Sequence, residues 1–488
     1  MLIIMRRIYT VAMLLLLVII TGCSKFEKFQ EDPNKPTQST PDLLLNTVIQ
    51  QAFQSTSLSA ALATRQMVFI NSVSNEQYYG WTRAGFDGYN NLHQVVKMEE
   101  AAVRMNKPEY LPLVKFFKAW YFMKLTNTFG DIPYSQALRG EQDTISPAYD
   151  KQQDIYLSVL NDLKEANTLI TGSTASVEGD ILFGGKMEQW KQLINALSLR
   201  ILMSLSLKEN NATLNVKGRF SEIVNAPATY PLMTGNADNG QLVFYDIQGS
   251  RYPTYSNNDL QTAYYMEESF VELLKGLQDP RLFVFAEKAP QYSTKPDNDL
   301  SAYGGAKGSA ALSENSSKVL AGQVSKIKSR YFNDPVNEPS IALGYAEQEF
   351  ILAEAVLRGW ISGDAAEHYR KGIDASLSFY KIAQVQKADY LALHPLPATG
   401  QLEAVLTQKY IASFMNSDWQ SFYEQRRTGM PVFDVSGDGA LNNKKVPKRW
   451  MYPVTELQNN ENNVNAAINS QFSGDDNING VMWLLKAE

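Results

Sequence analysis

Lys115–Tyr134, KFFKAWYFMKLTNTFGDIPY, is apolar almost all the way round a 3.6-residue wheel. Lys115, Lys118 and Lys124 fall on no common stripe. Phe116, Phe117, Trp120, Tyr121, Phe122, Met123 and Leu125 fill the sectors between them. A helix with no broad polar face is buried between neighbours on several sides. Thr126–Asn127–Thr128 then weakens it, Gly130 permits a positive φ, and Pro133 forbids continuation. The pattern predicts a central packing helix running into a fixed turn, Phe129-Gly130-Asp131-Ile132-Pro133.

Helical spacing recurs on both sides of it. Thr40-Pro41-Asp42 is a helix start with an N-cap, an N1 proline and an early acid. Leu44, Leu45, Val48, Ile49, Ala52 and Phe53 follow at helical spacing, and Leu62–Ile70 continues the pattern. Leu92, Val95, Val96 and Val103 predict a helix to about Met105, and Tyr149–Leu169 another. Trp190, Leu193, Ile194, Leu197, Ile201 and Leu205 form a strong amphipathic stripe. Tyr345–Tyr380 reads as two helices hinged at Gly359–Gly363, with Ala353, Ala355, Ala365, Ala366 and Gly372 where paired helices approach closely. That is similar to a tetratricopeptide unit. Val405–Phe414 and Trp419–Arg427 are further helices.

Two stretches break the rhythm. Asn71–Tyr89 sets Tyr78, Tyr79, Trp81, Arg83, Phe86 and Tyr89 among Asn, Ser and Gly. Between Pro231 and Asn337 periodicity is poor except for a helix near Ala263–Leu277, and Asp246–Asn258 and Tyr292–Gly308 read as long loops. Loops of this length inside a compact domain are usually functional or mobile. The expected fold class is mainly α, a helical-pair scaffold wrapped by a long irregular insertion.

The N-terminus lies outside that fold. Arg6 and Arg7 precede an apolar Ile8–Ile20 too short to span a bilayer comfortably, and Ile20-Thr21-Gly22 leads to Cys23, the only cysteine. The order predicts a lipoprotein signal over residues 1–22, lipidation of Cys23, and a polar tether over 23–39. One cysteine excludes an intrachain disulfide. The whole chain carries a net charge of −6, and removing the signal takes away two arginines and no acid. That acidity argues against nucleic acid and against docking on anionic headgroups.

A search for catalytic motifs finds no HExxH, GxSxG, P-loop or GxGxxG pattern. His93, His368 and His394 are scattered. Asp475-Asp476-Asn477-Ile478-Asn479-Gly480 fits half of a calcium loop, but Lys486 stands where a bidentate glutamate is required, so it reads as a turn. No catalytic residue, cofactor or metal ligand is expected. The stronger signal is aromatic residues in loops. Sugars offer flat C–H patches edged by hydroxyls, which aromatic faces rimmed by Asn, Asp, Arg and Gln can meet. The first loop offers Trp81 as a platform with Tyr78, Tyr79, Arg83 and Asp87; the second offers Tyr252, Tyr255 and Asn257. The same aromatics would serve equally to pin long loops onto the scaffold.

Several segments, in order, resemble the SusD/RagB-like family of outer-membrane nutrient-binding lipoproteins. Lys115–Tyr134 is similar to its aromatic helix and "FGDIPY" turn, and Trp190–Leu205 to its second long helix. Asp279-Pro280-Arg281-Leu282 resembles "LxDPRL", Tyr345–Ala355 resembles "YAExxFIxAEA", Gln408–Pro431 resembles "QKYIALF…W.E.RRTGYP", and Arg449–Glu456 resembles "R.YP..E". The resemblance implies a single SusD-like domain over 40–488. Its helical scaffold would occupy about 40–230 and 340–430, with a ligand-facing, loop-rich region at about 231–340. It also implies a non-catalytic lipoprotein, palmitoylated at Cys23 and facing the cell exterior. Such a protein binds a glycan and delivers it to a SusC-like TonB-dependent transporter. Loops in the family carry no fixed motif, so no binding residue transfers individually. A surface glycan hydrolase and a helical-repeat assembly scaffold are the competing readings.

Overall fold

The computed structural model describes residues 39–140, 143–171 and 176–488. The expected signal segment and Cys23 lie outside the described residues. We label helices of nine or more residues α1–α14. They are α1 Pro41–Phe53, α2 Asp87–Arg104, α3 Leu111–Phe129, α4 Gln152–Leu169, α5 Met187–Ser204, α6 Val216–Asn225, α7 Glu268–Gly276, α8 Leu312–Leu320, α9 Tyr345–Leu357, α10 Ala365–Phe379, α11 Gln384–Leu393, α12 Gln401–Ala412, α13 Gln420–Thr428 and α14 Glu461–Phe472. Four short strands, β1 Met67–Phe69, β2 Gly240–Leu242, β3 Tyr264–Met266 and β4 Ser340–Leu343, complete the frame. Helices α1 to α6 pack mostly on neighbours in sequence, α9 pairs with α10 and α12, and α5 touches α9 to join the two groups.

The aromatic helix is α3, and its surroundings explain its composition. Phe116 and Phe117 lie edge-on to Trp190 of α5, and Trp120 stacks on Phe53 of α1 at 5.6 Å. Its three lysines reach acids on three different neighbours. Lys115 pairs with Asp162 and Glu165 of α4, Lys118 with Glu99 of α2, and Lys124 with Asp418. Each ammonium leaves a crowded surface along its own stem, which is how an all-round apolar helix carries charge.

The turn after α3 is built as a joint. Gly130 has φ 93°, and a Cβ there would lie 2.2 Å from Gln471 Oε1 of α14. The Asp131 carboxylate accepts from Gln152 N at the start of α4, and Tyr452 O–H donates to the Asp131 carbonyl at 2.6 Å. Burial raises Asp131 to about 6, partly opposed by the Gln152 N–H.

The small residues of α9 and α10 do what their spacing predicts. A Cβ on Gly372 would meet the Phe350 ring at 2.7 Å, so only glycine permits this approach without a shift. Two helix expectations fail in part. Leu62–Ile70 is not one continued helix, because Met67–Phe69 is β1, paired antiparallel with β3. Ala263–Leu277 likewise splits into β3 and then α7. Short apolar runs fit either period, and here the strand partner lies almost 200 residues away in sequence. The second strand pair, β2 with β4, leads directly into α9.

The motifs that carry the resemblance converge on α9, α12 and α13 as buried polar locks. Arg281, fully buried, donates to Asp279, to Gln408 of α12 and to Ser376 of α10. Arg427 of α13 holds Glu354 of α9 and Glu424 through both terminal nitrogens. Arg200 of α5 holds Glu347 of α9, and Lys409 of α12 lies between Glu347 and Glu424. These charges fix which helices meet. Truncating one partner would leave an uncompensated buried ion. Among the described residues no helix is long and apolar enough to cross a membrane.

Candidate functional site

The loop over residues 71–89 turns inward. Trp81 is 4% exposed, stacks on Trp450 at 4.7 Å, and meets Phe422 and Trp419 edge-on. Its indole N–H donates to the Arg449 carbonyl. No face is left for a ligand, so the platform role expected of Trp81 gives way to a packing role. Tyr79 is fully buried beneath Arg65, whose guanidinium sits 4.3 Å from the ring, and its hydroxyl donates to the Ala63 carbonyl. Burial pushes the Tyr78 and Tyr79 hydroxyls above their ordinary pKa. Tyr78 is covered by the loop at 437–441, where Leu441 N donates to the Tyr78 carbonyl. Arg83 is half-buried and donates to the Tyr452 carbonyl and to Asp476. Asp87 alone of this set is exposed, in the first turn of α2. Asp476 also takes Arg449, so the calcium-like stretch is a turn whose carboxylate is occupied by two guanidiniums.

The second loop divides. Tyr252 is 2% exposed, edge-on to Phe244, and its N–H donates to the Pro335 carbonyl. Asn257 caps the short helix Asn258–Thr262 by accepting from Leu260 N. Tyr255 is half-buried beneath Arg251, 5.2 Å from its ring, and Arg251 donates to Asp246. The ring that does reach solvent lies one residue before the expected loop. Tyr245 is 59% exposed, flanked by exposed Val243 and Ile247, with Phe244 turned inward. Its N–H donates to the Ser250 carbonyl and closes a tight projecting turn. Tyr245 was legible: Val243-Phe244-Tyr245-Asp246-Ile247 alternates after β2, and period two places residues 243, 245 and 247 on one side. The structure thus gathers Tyr245, Arg251 and Tyr255 on one loop and separates Tyr78, Tyr79, Trp81 and Tyr252 from solvent.

Catalytic geometry is a separate question. Glycoside hydrolysis uses two carboxyls, one held protonated near neutral pH. Glu347 and Glu424 share Lys409, at 3.9 and 3.2 Å. Burial alone would raise Glu424, but Arg427 and Lys409 overcome it and hold the group at about 2, so it carries no proton to donate. Glu267 and Glu338 are raised by burial, yet their oxygens accept from Ser269 and Gly308 and from Arg330 respectively. These are structural carboxylates. Among the described residues no group of three or more His, Cys, Asp or Glu is placed to hold a metal ion.

The fold has known relatives. Residues 33–453 match the SusD-like_2 family, described as "Starch-binding associating with outer membrane". The chain belongs to the SusD-like family. An outer membrane protein from Bacteroides vulgatus ATCC 8482, described in connection with nutrient binding, is 39% identical with a TM-score of 0.85, over 92% of this chain and 100% of that one. A SusD homolog from Bacteroides fragilis NCTC 9343 is 40% identical with the same TM-score and coverage. Another from that strain is 33% identical, also at 0.85. A chitin-binding protein at 23% identity and TM-score 0.73 shares the SusD-like fold. No curated protein matches the chain. The SusD-like scaffold therefore accounts for the buried motifs, and its family is one of starch- and nutrient-binding proteins of the outer membrane.

Proposed function

We propose that this chain is a lipid-anchored glycan-binding protein that delivers an oligosaccharide to a TonB-dependent transporter at the outer membrane. Membership of the SusD-like family carries the reading. The exposed Tyr245 ring, with Arg251 over Tyr255, supports placing the ligand on the loop at 243–258. Ring faces would stack on sugar C–H surfaces, and Arg251 and Asn257 would bond hydroxyls. Such a site is shallow and already formed, so little ordering opposes binding. In this reading Trp81 and Tyr252 hold the loops rather than the ligand. Cys23 carries the lipid, and the tether beyond it lets the domain swing over its transporter. The starch-binding description of the family makes hexose polymers the first class to test.

The experiment is a glycan array probed with the chain lacking residues 1–23. Retention of hexose oligosaccharides, lost in Tyr245→Ala, is the expected result. Retention of peptides and of no glycan would refute the ligand class. Purification from outer membranes is expected to bring a TonB-dependent transporter along, and its absence would remove the delivery step.

A further inference from the structure

The loop at 243–258 turns left-handed twice, with two different residues. At Gly249 φ is 86°, and a Cβ built there would meet nothing within 4 Å, so glycine serves the backbone alone. At Ser256 φ is 58°, the one non-glycine residue of this loop in the left-handed region. Asn257 N donates to the Thr254 carbonyl at 3.1 Å, which makes Ser256 the third residue of a four-residue turn. Positive φ at that place marks a type II turn, where glycine or asparagine is the ordinary residue. A serine there holds a conformation that its Cβ disfavours.

The turn is not free to relax. Over residues 252–256 three bonds tie it to one distant segment. Tyr252 N donates to the Pro335 carbonyl at 2.7 Å, the Thr254 hydroxyl to the Tyr331 carbonyl at 2.6 Å, and Ser256 N to the Phe332 carbonyl at 2.8 Å. Tyr252, Thr254 and Tyr331 are buried, so these ties lie inside the domain. The Ser256 side chain is exposed, and among the described residues its hydroxyl has no hydrogen-bond partner. That hydroxyl caps no helix and holds no backbone group. It stands in sequence between Tyr255 and Asn257, both already placed at the ligand.

We infer that the Ser256 hydroxyl is a specificity-determining contact of this loop, held to bond a hydroxyl of the bound glycan, an inference that rests on the proposed function. Backbone strain that glycine would relieve persists where the side chain has a task of its own. A serine hydroxyl both donates and accepts, as a sugar hydroxyl does, so the two match in either sense. The backbone beneath it is already tied to 331, 332 and 335, so little ordering opposes the bond.

Two variants separate the hydroxyl from the backbone. Ser256→Ala keeps the Cβ and its strained φ and loses only the hydroxyl. Ser256→Gly loses the hydroxyl and relieves the backbone as well. The full chain in detergent is read at graded concentration on an array of α- and β-linked glucose and N-acetylglucosamine oligosaccharides, with melting curves alongside. Both variants are expected to weaken retention about fivefold, the contribution of one neutral hydrogen bond. The melting temperature should hold in Ser256→Ala and be equal or higher in Ser256→Gly. A serine with only a structural role cannot lose affinity while stability holds or rises. Retention unchanged in Ser256→Ala overturns the inference whatever Ser256→Gly does, and so does a melting temperature that falls together with retention. If Tyr245→Ala weakens retention and the serine variants do not, the loop site stands and the Ser256 contact alone falls. If the native chain retains nothing, or none of the three variants changes retention, the loop site falls and the contact with it.

Discussion

The loops at 71–89 and 243–258 carry the same mixture of Tyr, Arg, Asn and Gly, yet the first is built into the core and the second projects from it. The difference lies in what each loop meets. The first meets a ready-made aromatic wall: Trp81 settles between Trp450, Trp419 and Phe422, and the loop at 437–441 closes over Tyr78. The second finds partners only for its inner positions, Phe244 and Tyr252, while Val243, Tyr245 and Ile247 face outward. Aromatic content alone therefore says nothing about recognition. Rings with a partner surface are fasteners, and rings without one are free to bind.

The sharpest way to break this contrast is at Trp81. Trp81→Ala should cost about 3–5 kcal/mol, the range for deleting a buried indole, and read as a large drop in melting temperature. The folded fraction should bind glycan unchanged. A well-folded Trp81→Ala protein that has lost its ligand would restore Trp81 as a platform. Nearly as large is Asp476→Asn. Asp476 neutralises both Arg83 and Arg449, and Arg449 is fully buried. Removing the one carboxylate leaves a buried cation, a loss of about 3 kcal/mol, which denaturant titration would measure.

Asp131→Asn probes the joint beneath the same loop, where Tyr452 bonds both Asp131 and Arg83 through its hydroxyl and carbonyl. The folded carboxyl keeps its proton to about pH 6, whereas its ordinary value is 3.8. A raised acid contributes its stability below the unfolded value and loses it as pH climbs through 6. Asp131→Asn should therefore gain on the native chain from pH 4 to pH 7, by of order 1–3 kcal/mol. Melting curves across that range give the answer, and a pH-independent difference would refute the burial argument.

How much of this was legible follows the same division between local and distant causes. The wheel of α3 placed its lysines correctly, because period and charge are written in consecutive residues. The Gly372 contact and the paired helices α9 and α10 were legible for the same reason. Trp81 was not, because its cover comes from Phe422 and Trp450, more than 300 residues away. β1 failed on the same ground, since β3 supplies the pairing that decides strand over helix. Tyr245 was within reach of the period-two pattern, but it lies just outside the boundary at Asp246.

On the projecting side the effects should be smaller and should appear in binding. Tyr245→Ala is expected to leave stability within about 0.5 kcal/mol, as for exposed sites generally, and to weaken glycan binding about tenfold, or about 1.4 kcal/mol. Equal loss of stability and affinity would mean that the ring is a fastener after all.

Asp246→Asn should do least of all, and its contrast with Asp476→Asn is the finest test of the two loops. Both remove a carboxylate from an arginine of an aromatic loop. Asp246 and Arg251 are exposed by 63% and 42%, so water already screens the pair and takes over when the charge goes. The expected cost is below about 0.5 kcal/mol, shrinking further as salt is added. Arg251 would remain free to lie over Tyr255, and glycan affinity should change less than about twofold, since rim charges of this kind govern encounter more than residence. A loss approaching that of Asp476→Asn would mean that the projecting turn is held by its charges, and that its rings are placed by the ion pair rather than by the inward packing of Phe244 and Tyr252.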